Sequence, residues 1–219
     1  MIRAVLFDLD GTFADTAPDL GAAVNHMRAV RGLRPVPLSE TRRVTSLGAR
    51  GLISAGFGIG PDHPDYPALR EEFLVRYHNN LCIHSAPFPG MAELVDRLEA
   101  AGLRWGIVTN KSEQLALPLL QQMGYAQRAG CIIGGDTTPY MKPHPAPLLA
   151  GAAAIEVPAA ACAYVGDDER DIIAGRAAGM TTIAVRFGYL NGSDPECWAA
   201  DHVVDSAPEI ANLFLKHLV

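Results

Sequence analysis

Asp8-Leu9-Asp10-Gly11-Thr12 sets two carboxylates at alternate positions directly after a short apolar run, residues 2–7. Side chains alternate along extended backbone, so Asp8 and Asp10 can face one pocket while Leu9 points away. Like charges this close call for a cation. Mg²⁺ takes oxygen ligands, keeps several waters and accepts one or two carboxylates together with a substrate phosphate, which suits this pair. A phosphate ester repels an anionic nucleophile, and a metal removes that obstacle. Asp8 can then form an aspartyl phosphate, splitting hydrolysis into two easier steps, while Asp10 protonates the leaving oxygen and later deprotonates water. Gly11 permits the sharp turn and lets backbone N–H groups approach the phosphate oxygens. Standing alone, such an acidic turn is equally a solvated loop or a calcium loop.

Three distant segments offer complementary groups. Thr109-Asn110 follows the apolar run 105–108 and brings a hydroxyl and a backbone N–H to hold one phosphoryl oxygen. The same residue types are preferred helix caps, and the two roles coexist at a helix N-terminus that binds an anion. Lys142-Pro143 places a cation on a stiff loop, where it can pair with Asp8 and balance phosphoryl charge, although a lone lysine is ordinarily solvated. In Gly166-Asp167-Asp168-Glu169-Arg170-Asp171, Asp167 follows the run 161–165 and offers a further metal carboxylate. Asp171, four residues on, shares its face if a helix starts here and stands behind the ligands. The plainer alternative is an acidic helix N-terminus stabilised by the macrodipole.

The elements that must position these groups follow from the hydrophobic pattern. Strand-length apolar runs at 2–7, 105–108, 131–133, 161–165 and 181–185 alternate with helical stretches such as 90–101 and 113–123. That alternation predicts an α/β fold with a parallel sheet covered by helices. Ligands of open parallel sheets gather at the carboxyl ends of the strands, where Asp8, Thr109 and Asp167 all fall. Residues 17–82 break the rhythm with candidate helices at 18–31, 38–55 and 68–79, turn-rich breaks at 32–37 and 56–67, and no strand. This reads as a small α-helical domain, 17–82, inserted into a core of 1–16 and 83–219, with Pro87, Pro89 and Gly90 marking the return.

Composition narrows the function classes. The chain has 219 residues, 49% hydrophobic and 19% charged, which is ordinary for a folded protein with one sizeable core. A net charge of −6 disfavours a broad nucleic-acid surface, so an anionic small molecule must be met locally. The four cysteines show no paired spacing, and a reducing cytoplasm is the expected compartment. The N-terminal apolar run is too short for a signal segment or a membrane span. The oligomeric state is not legible.

The four segments in this order, DLDGT at 8–12, TN at 109–110, KP at 142–143 and GDDERD at 166–171, resemble the motifs of the haloacid dehalogenase superfamily. The resemblance spans the chain and implies a Rossmann-like core with a helical cap inserted after the first motif. It implies Asp8 as nucleophile, Asp10 as acid/base, and Mg²⁺ held by Asp8, the Asp10 carbonyl and Asp167. Within the superfamily, DGTFADT at 10–16 and KPHPAPL at 142–148 are similar to the phosphoglycolate phosphatase group, with Phe13 where Leu is commoner. EFLVRYHNN at 72–80, HSAPFPGM at 84–91, WGIVTNK at 105–111 and GYLNGSDPECWAAD at 188–201 are similar to the N-acetylmuramic acid 6-phosphate phosphatases. The implied partner is a small phosphate monoester, selected by the cap, with Arg50 the cap residue expected to touch it. His84, His144 and Arg186 are read as structural.

Three other functions fit the same motifs less well. A phosphomutase shares the fold and the aspartyl phosphate but needs a cap that excludes water. A dehalogenase needs neither Asp10 nor the metal set. A non-catalytic binding protein leaves no reason for Asp8, Asp10, Thr109, Lys142 and Asp167 all to stand in order.

Overall fold

The computed structural model describes residues 1–215. At its centre lies β1 (Ala4–Phe7), whose four residues are all buried, as an uninterrupted apolar run requires when both sheet faces are covered. β1 is flanked in parallel by β4 (Arg104–Val108) and β6 (Cys162–Gly166). With β5 (Ile132–Ile133), β7 (Thr181–Val185) and β8 (His202–Val204) the sheet runs β5-β4-β1-β6-β7-β8, parallel throughout. The chain moves outward from β1 through β4 to β5, then returns to the other side of β1 for β6. That reversal is a topological switch point, where a ligand crevice opens at the strand ends.

Register delivers the site residues together. Phe7 pairs with Ile107 on one side and Val165 on the other. Asp8 is therefore level with Val108 and Gly166, one residue before Thr109 and Asp167. Alternation along β1 divides the core. Val5 and Phe7 pack with α5 (Met91–Ala100), α6 (Glu113–Gln122) and α9 (Ala207–Leu215), whereas Ala4 and Leu6 pack with α7 (Ala146–Ala154) and α8 (Glu169–Ala177).

Between β1 and β4 the chain leaves the sheet. A two-stranded antiparallel ribbon, β2 (Ala14–Asp15) with β3 (Ala86–Pro87), carries the outgoing and returning strands side by side. Beyond it α1 (Ala17–Ala29), α2 (Leu38–Arg43), α3 (Gly48–Phe57) and α4 (Tyr66–His78) pack on one another as a helical cap. The helix expected over 38–55 is a correction. It splits into α2, a 3₁₀ turn at Thr45–Leu47, and α3, with Gly48 at φ +60°, a backbone conformation outside the α-helix, at the break. β8 and the ribbon were not expected from the sequence, because two or three residues are too few to show a period. No helix among the described residues is long and apolar enough to cross a membrane.

Candidate active site

The loop after β1 is fixed from both ends. Asp8 N donates to Val165 O at 2.9 Å, extending the ladder one residue past the strand. Phe13 anchors the far end, stacked on Trp105 with ring centroids 5.6 Å apart and meeting Tyr125 edge-on at 5.1 Å. Between them Gly11 takes φ +91°, and a Cβ there would lie 2.1 Å from Asp167 Oδ2. Glycine is required twice over, for the turn and for the approach of the carboxylate.

Asp8, Asp167 and Asp171 each offer an oxygen, all within 4.8 Å of one another, and Asp167 and Asp171 are buried. Asp167 accepts from Thr12 Oγ1 at 2.9 Å and from Tyr189 N at 2.8 Å. Burial raises the Asp167 pKa well above the usual carboxylate range, and the Asp8 and Asp171 charges add to the shift. Burial likewise lifts Asp171 to about 6, with Lys142 opposing. Asp8 Oδ1 is buried, and among the described residues its one close donor group is the Lys142 ammonium. Three carboxylates converging on one point suit a hard divalent cation.

Lys142 is 3% exposed, with its ammonium 2.9 Å from Asp8 Oδ1 and 2.7 Å from Asp171 Oδ1. The ammonium is thus the cationic partner of the buried Asp8 oxygen. Lys142 Nζ also donates to Tyr164 Oη at 2.7 Å and Val108 O at 3.2 Å. Burial alone would push its pKa down, but Asp171 and Asp8 outweigh that and hold it above the ordinary lysine value. Asn110 sets the lysine's backbone: its Oδ1 accepts from Lys142 N at 2.9 Å and its Nδ2 donates to Lys142 O at 3.0 Å. The Asn110 side chain is thus spent on the Lys142 loop. Thr109 accepts at Oγ1 from Lys111 N at 3.2 Å, which leaves its hydroxyl proton to donate into the cavity.

Asp168 caps α8 in a capping box: its side chain accepts from Arg170 N, while Asp171 Oδ2 accepts from Asp168 N at 3.1 Å. The helix-terminus reading and the site reading of this segment both hold, because Asp171 uses one oxygen for the cap and the other for Lys142.

Asp10 faces the other way. Its Oδ1 accepts from Thr16 Oγ1 at 2.5 Å, and Lys111 Nζ lies 3.1 Å from both of its oxygens. Lys111 also donates to Tyr77 Oη of α4 at 2.9 Å. Burial lifts the Tyr77 phenol to about 12 against the pull of Lys111, so it stays protonated. For Lys111, burial pushes the ammonium pKa down, and Asp10 outweighs it to leave the value above the ordinary lysine range.

A cavity of about 510 Å³ lies between these groups and the cap, roofed by residues such as Ser46, Leu47, Phe73 and Tyr77. Its lining includes Asp8, Asp10, Thr109, Asn110, Lys142, Asp167 and Asp171. Arg50 is exposed on α3 and is not among the lining residues; Arg70 and Arg170 are. Arg170 grips both oxygens of Asp168 at 2.8 Å and donates to Ser46 O of the cap at 2.8 Å. At the ribbon, Asp19 accepts from the backbone N–H groups of Ile83, His84 and Ser85, and Tyr189 Oη accepts from Thr16 N and Ala17 N. Lys111, Tyr77, Tyr164, Arg170, Asp19 and Tyr189 were not expected from the sequence. Lys111 directly follows the Thr109-Asn110 pair, and Arg170, Tyr77 and Tyr189 fall within segments quoted for resemblance, but nothing in the residue pattern assigns any of them a role. His84 donates its backbone N–H to Asp19, His144 stacks on Tyr140, and Arg186 pairs with Glu196 and Asp205.

A family model described as haloacid dehalogenase-like hydrolase matches residues 5–185. The chain is 43% identical over 218 residues to the N-acetylmuramic acid 6-phosphate phosphatase of Pseudomonas aeruginosa, covering 99% of this chain and 96% of that protein. It is 49% identical over 209 residues to a phosphoglycolate phosphatase of Xanthomonas campestris, covering 95% and 94%. Among solved structures, a predicted phosphoglycolate phosphatase from Haemophilus somnus superposes with a TM-score of 0.85 at 25% identity, covering 97% of each chain.

Proposed function

Because the chain belongs to the haloacid dehalogenase-like hydrolase family, we propose that it hydrolyses a small phosphate monoester through an aspartyl phosphate on Asp8, with Mg²⁺ held by Asp8, the Asp10 carbonyl and Asp167. The observation that carries this reading is the convergence of Asp8 and Asp167 at adjacent strand ends, with the Lys142 ammonium 2.9 Å from Asp8 Oδ1. Bound there, Mg²⁺ supplies positive charge against the carboxylates and the phosphoryl oxygens. Lys142 orients the Asp8 carboxylate, and the Thr109 hydroxyl donates to a phosphoryl oxygen. An Asp8 oxygen forms the bond to phosphorus as the ester P–O bond breaks, and Asp10 delivers its proton to the departing alkoxide. In the second half Asp10 takes a proton from water, the hydroxyl adds to phosphorus, and Asp8 leaves as the carboxylate with inorganic phosphate.

The two kinds of relative suggest phosphoglycolate or N-acetylmuramic acid 6-phosphate as substrate. A cavity near 510 Å³ falls in the range of roughly 300–1,000 Å³ that buries a drug-sized ligand. That is more room than a two-carbon glycolate ester needs, and it favours the sugar phosphate. The four unpaired cysteines suit a reducing compartment, so we place the enzyme in the cytoplasm.

Phosphate release from a panel of both esters, with Mg²⁺ or with EDTA, tests the reading. Asp8→Asn is expected to lower kcat by about 10⁴-fold or more, the scale seen when a covalent nucleophile is removed, with an unchanged circular dichroism spectrum. Substantial hydrolysis by Asp8→Asn overturns the mechanism. Isomerised product without free phosphate overturns the reaction class in favour of a phosphomutase.

A further inference from the structure

Four cationic side chains line the cavity, and two of them are committed to other contacts. Lys142 is held at the phosphoryl end by Asp8, Asp171 and Tyr164. Arg170 is committed to Asp168 and Ser46 O. Arg70 lies exposed on α4. Lys111 differs from all three. Its side chain is 6% exposed, its backbone belongs to the core loop after β4, and its ammonium meets Tyr77 of the cap as well as Asp10. A buried ammonium that joins core to cap beside the proposed acid/base stands on the leaving-group side of the phosphoryl site.

The hydrogen-bond inventory at this junction leaves two donors. The Tyr77 hydroxyl accepts from Lys111, and among the described residues Lys111 is its only partner, so its own O–H proton is unspent. Lys111 contacts both Asp10 oxygens, and Oδ1 has a second donor in Thr16 Oγ1. Lys111 can therefore turn one N–H from Oδ1 to an incoming anion without leaving that oxygen orphaned. A lysine on a flexible stem with three rotatable donors is suited to such a shift. One ammonium N–H and one phenol O–H, 2.9 Å apart at their heavy atoms, match the two oxygens of a carboxylate. Phe73 stacks near-parallel to the Tyr77 ring, 8° between planes, and fixes where the phenol points.

We infer that Lys111 and Tyr77 form a second anion subsite, which recognises a carboxylate on the alcohol half of the phosphate ester. The inference rests on the phosphatase reading above and deepens it to a substrate class: phosphate monoesters of hydroxy acids. Glycolate and muramic acid, the alcohol halves in the two relatives' names, both carry that group.

Two matched pairs of esters test it: phosphoglycolate against 2-hydroxyethyl phosphate, and N-acetylmuramic acid 6-phosphate against N-acetylglucosamine 6-phosphate. The readout is the ratio of kcat/KM, acid over neutral, within each pair. The full-length enzyme with Mg²⁺ is expected to favour the acid by roughly 10- to 100-fold in at least one pair, as a charge-assisted hydrogen bond implies. Lys111→Met is expected to bring that ratio to about one, with the loss carried mainly by KM, while Lys111→Arg keeps a preference. Tyr77→Phe retains the ring against Phe73 and is expected to lower the ratio about fivefold, one neutral hydrogen bond; it tests the same subsite should Lys111→Met fail to fold. A purely structural role lowers both members of a pair alike and leaves the ratio intact. An unchanged ratio in both variants, or no acid preference in the wild type, overturns the inference and leaves the phosphatase reading standing. No phosphate release from any of the four esters overturns the phosphatase reading, and the subsite with it.

Discussion

Two buried lysines sit at opposite ends of the same cavity, and they are held in different ways. Lys142 finds Asp8, Asp171, Tyr164 and Val108 O, all from the sheet, the loop directly after β1 or the helix start beside it. Lys111 finds Asp10 on the core side and Tyr77 on the cap. In both, burial works against the ammonium and neighbouring carboxylates reverse it. What differs is who supplies the neighbours. The phosphoryl end is complete within one rigid sheet, as charge stabilisation of a transition state demands. The other end is complete only with the cap in place.

Removing each lysine is the strongest way to break this contrast. Lys142→Met strands Asp8 and Asp171 in a buried site, and loss of one partner from a buried ion pair costs about 3–5 kcal/mol. The Lys111 partners are less isolated, because Asp10 keeps Thr16 and lies on the cavity. Urea unfolding in EDTA should therefore place Lys142→Met roughly 3 kcal/mol or more below wild type and Lys111→Met closer to it. Turnover of Lys142→Met should fall by about 10²-fold or more. Equal destabilisation by the two substitutions would mean that the two ends are built alike.

A pH titration sharpens the same contrast at the Lys142 end. Burial raises Asp171 to about 6 and Asp167 well above its ordinary value, with like charges adding to Asp167. A raised carboxyl pKa means the folded protein binds more protons than the unfolded chain between the two values. That contribution to stability is present below the ordinary carboxyl value and is lost as pH rises through about 6 for Asp171. In EDTA Asp171 is expected to lower stability by up to about 3 kcal/mol across that interval, with Asp167 acting in the same direction and excess Mg²⁺ offsetting much of the loss. Urea midpoints measured with Mg²⁺ and with EDTA should diverge as pH rises through 6. A gap that does not change with pH would separate the acidic cluster from the metal.

The contrast also marks what the sequence could disclose. Asp8, Thr109 and Asp167 each follow an apolar run long enough to be recognised as a strand, and strand ends in a parallel sheet meet by register. The core site was legible for that reason. Lys111 and Tyr77 lie 34 positions apart and meet only through the packing of α4 over the sheet, which no local period encodes. Arg50 reads from the sequence as a cap cation in a loop, whereas the break at Gly48 starts α3 there and leaves the side chain exposed. The two bonds that the Asn110 side chain makes to Lys142 are not legible either, because they depend on a backbone 32 positions away.

The smallest test asks how the sheet holds Lys142 still. Tyr164 lies in the middle of β6 and is fully buried, at a position where apolar packing alone would suffice. Its hydroxyl donates to Val108 O at 2.7 Å and accepts from Lys142 Nζ at 2.7 Å. Lys142 has three protons and four acceptors within reach, so the phenol is a neutral stop that fixes the ammonium between Asp8 and Asp171. Tyr164→Phe keeps the ring and removes the oxygen. Stability is expected to drop by about 1 kcal/mol, one net hydrogen bond, because Lys142 still reaches Val108 O and satisfies the carbonyl. The catalytic signature should be a several-fold loss in kcat with KM nearly unchanged, since substrate phosphate still meets Thr109 and the ammonium while the Asp8 carboxylate is less well aimed. A rise in KM at constant kcat would place Tyr164 in ground-state binding. It would also show that the core end of the cavity, like the cap end, adjusts to its substrate.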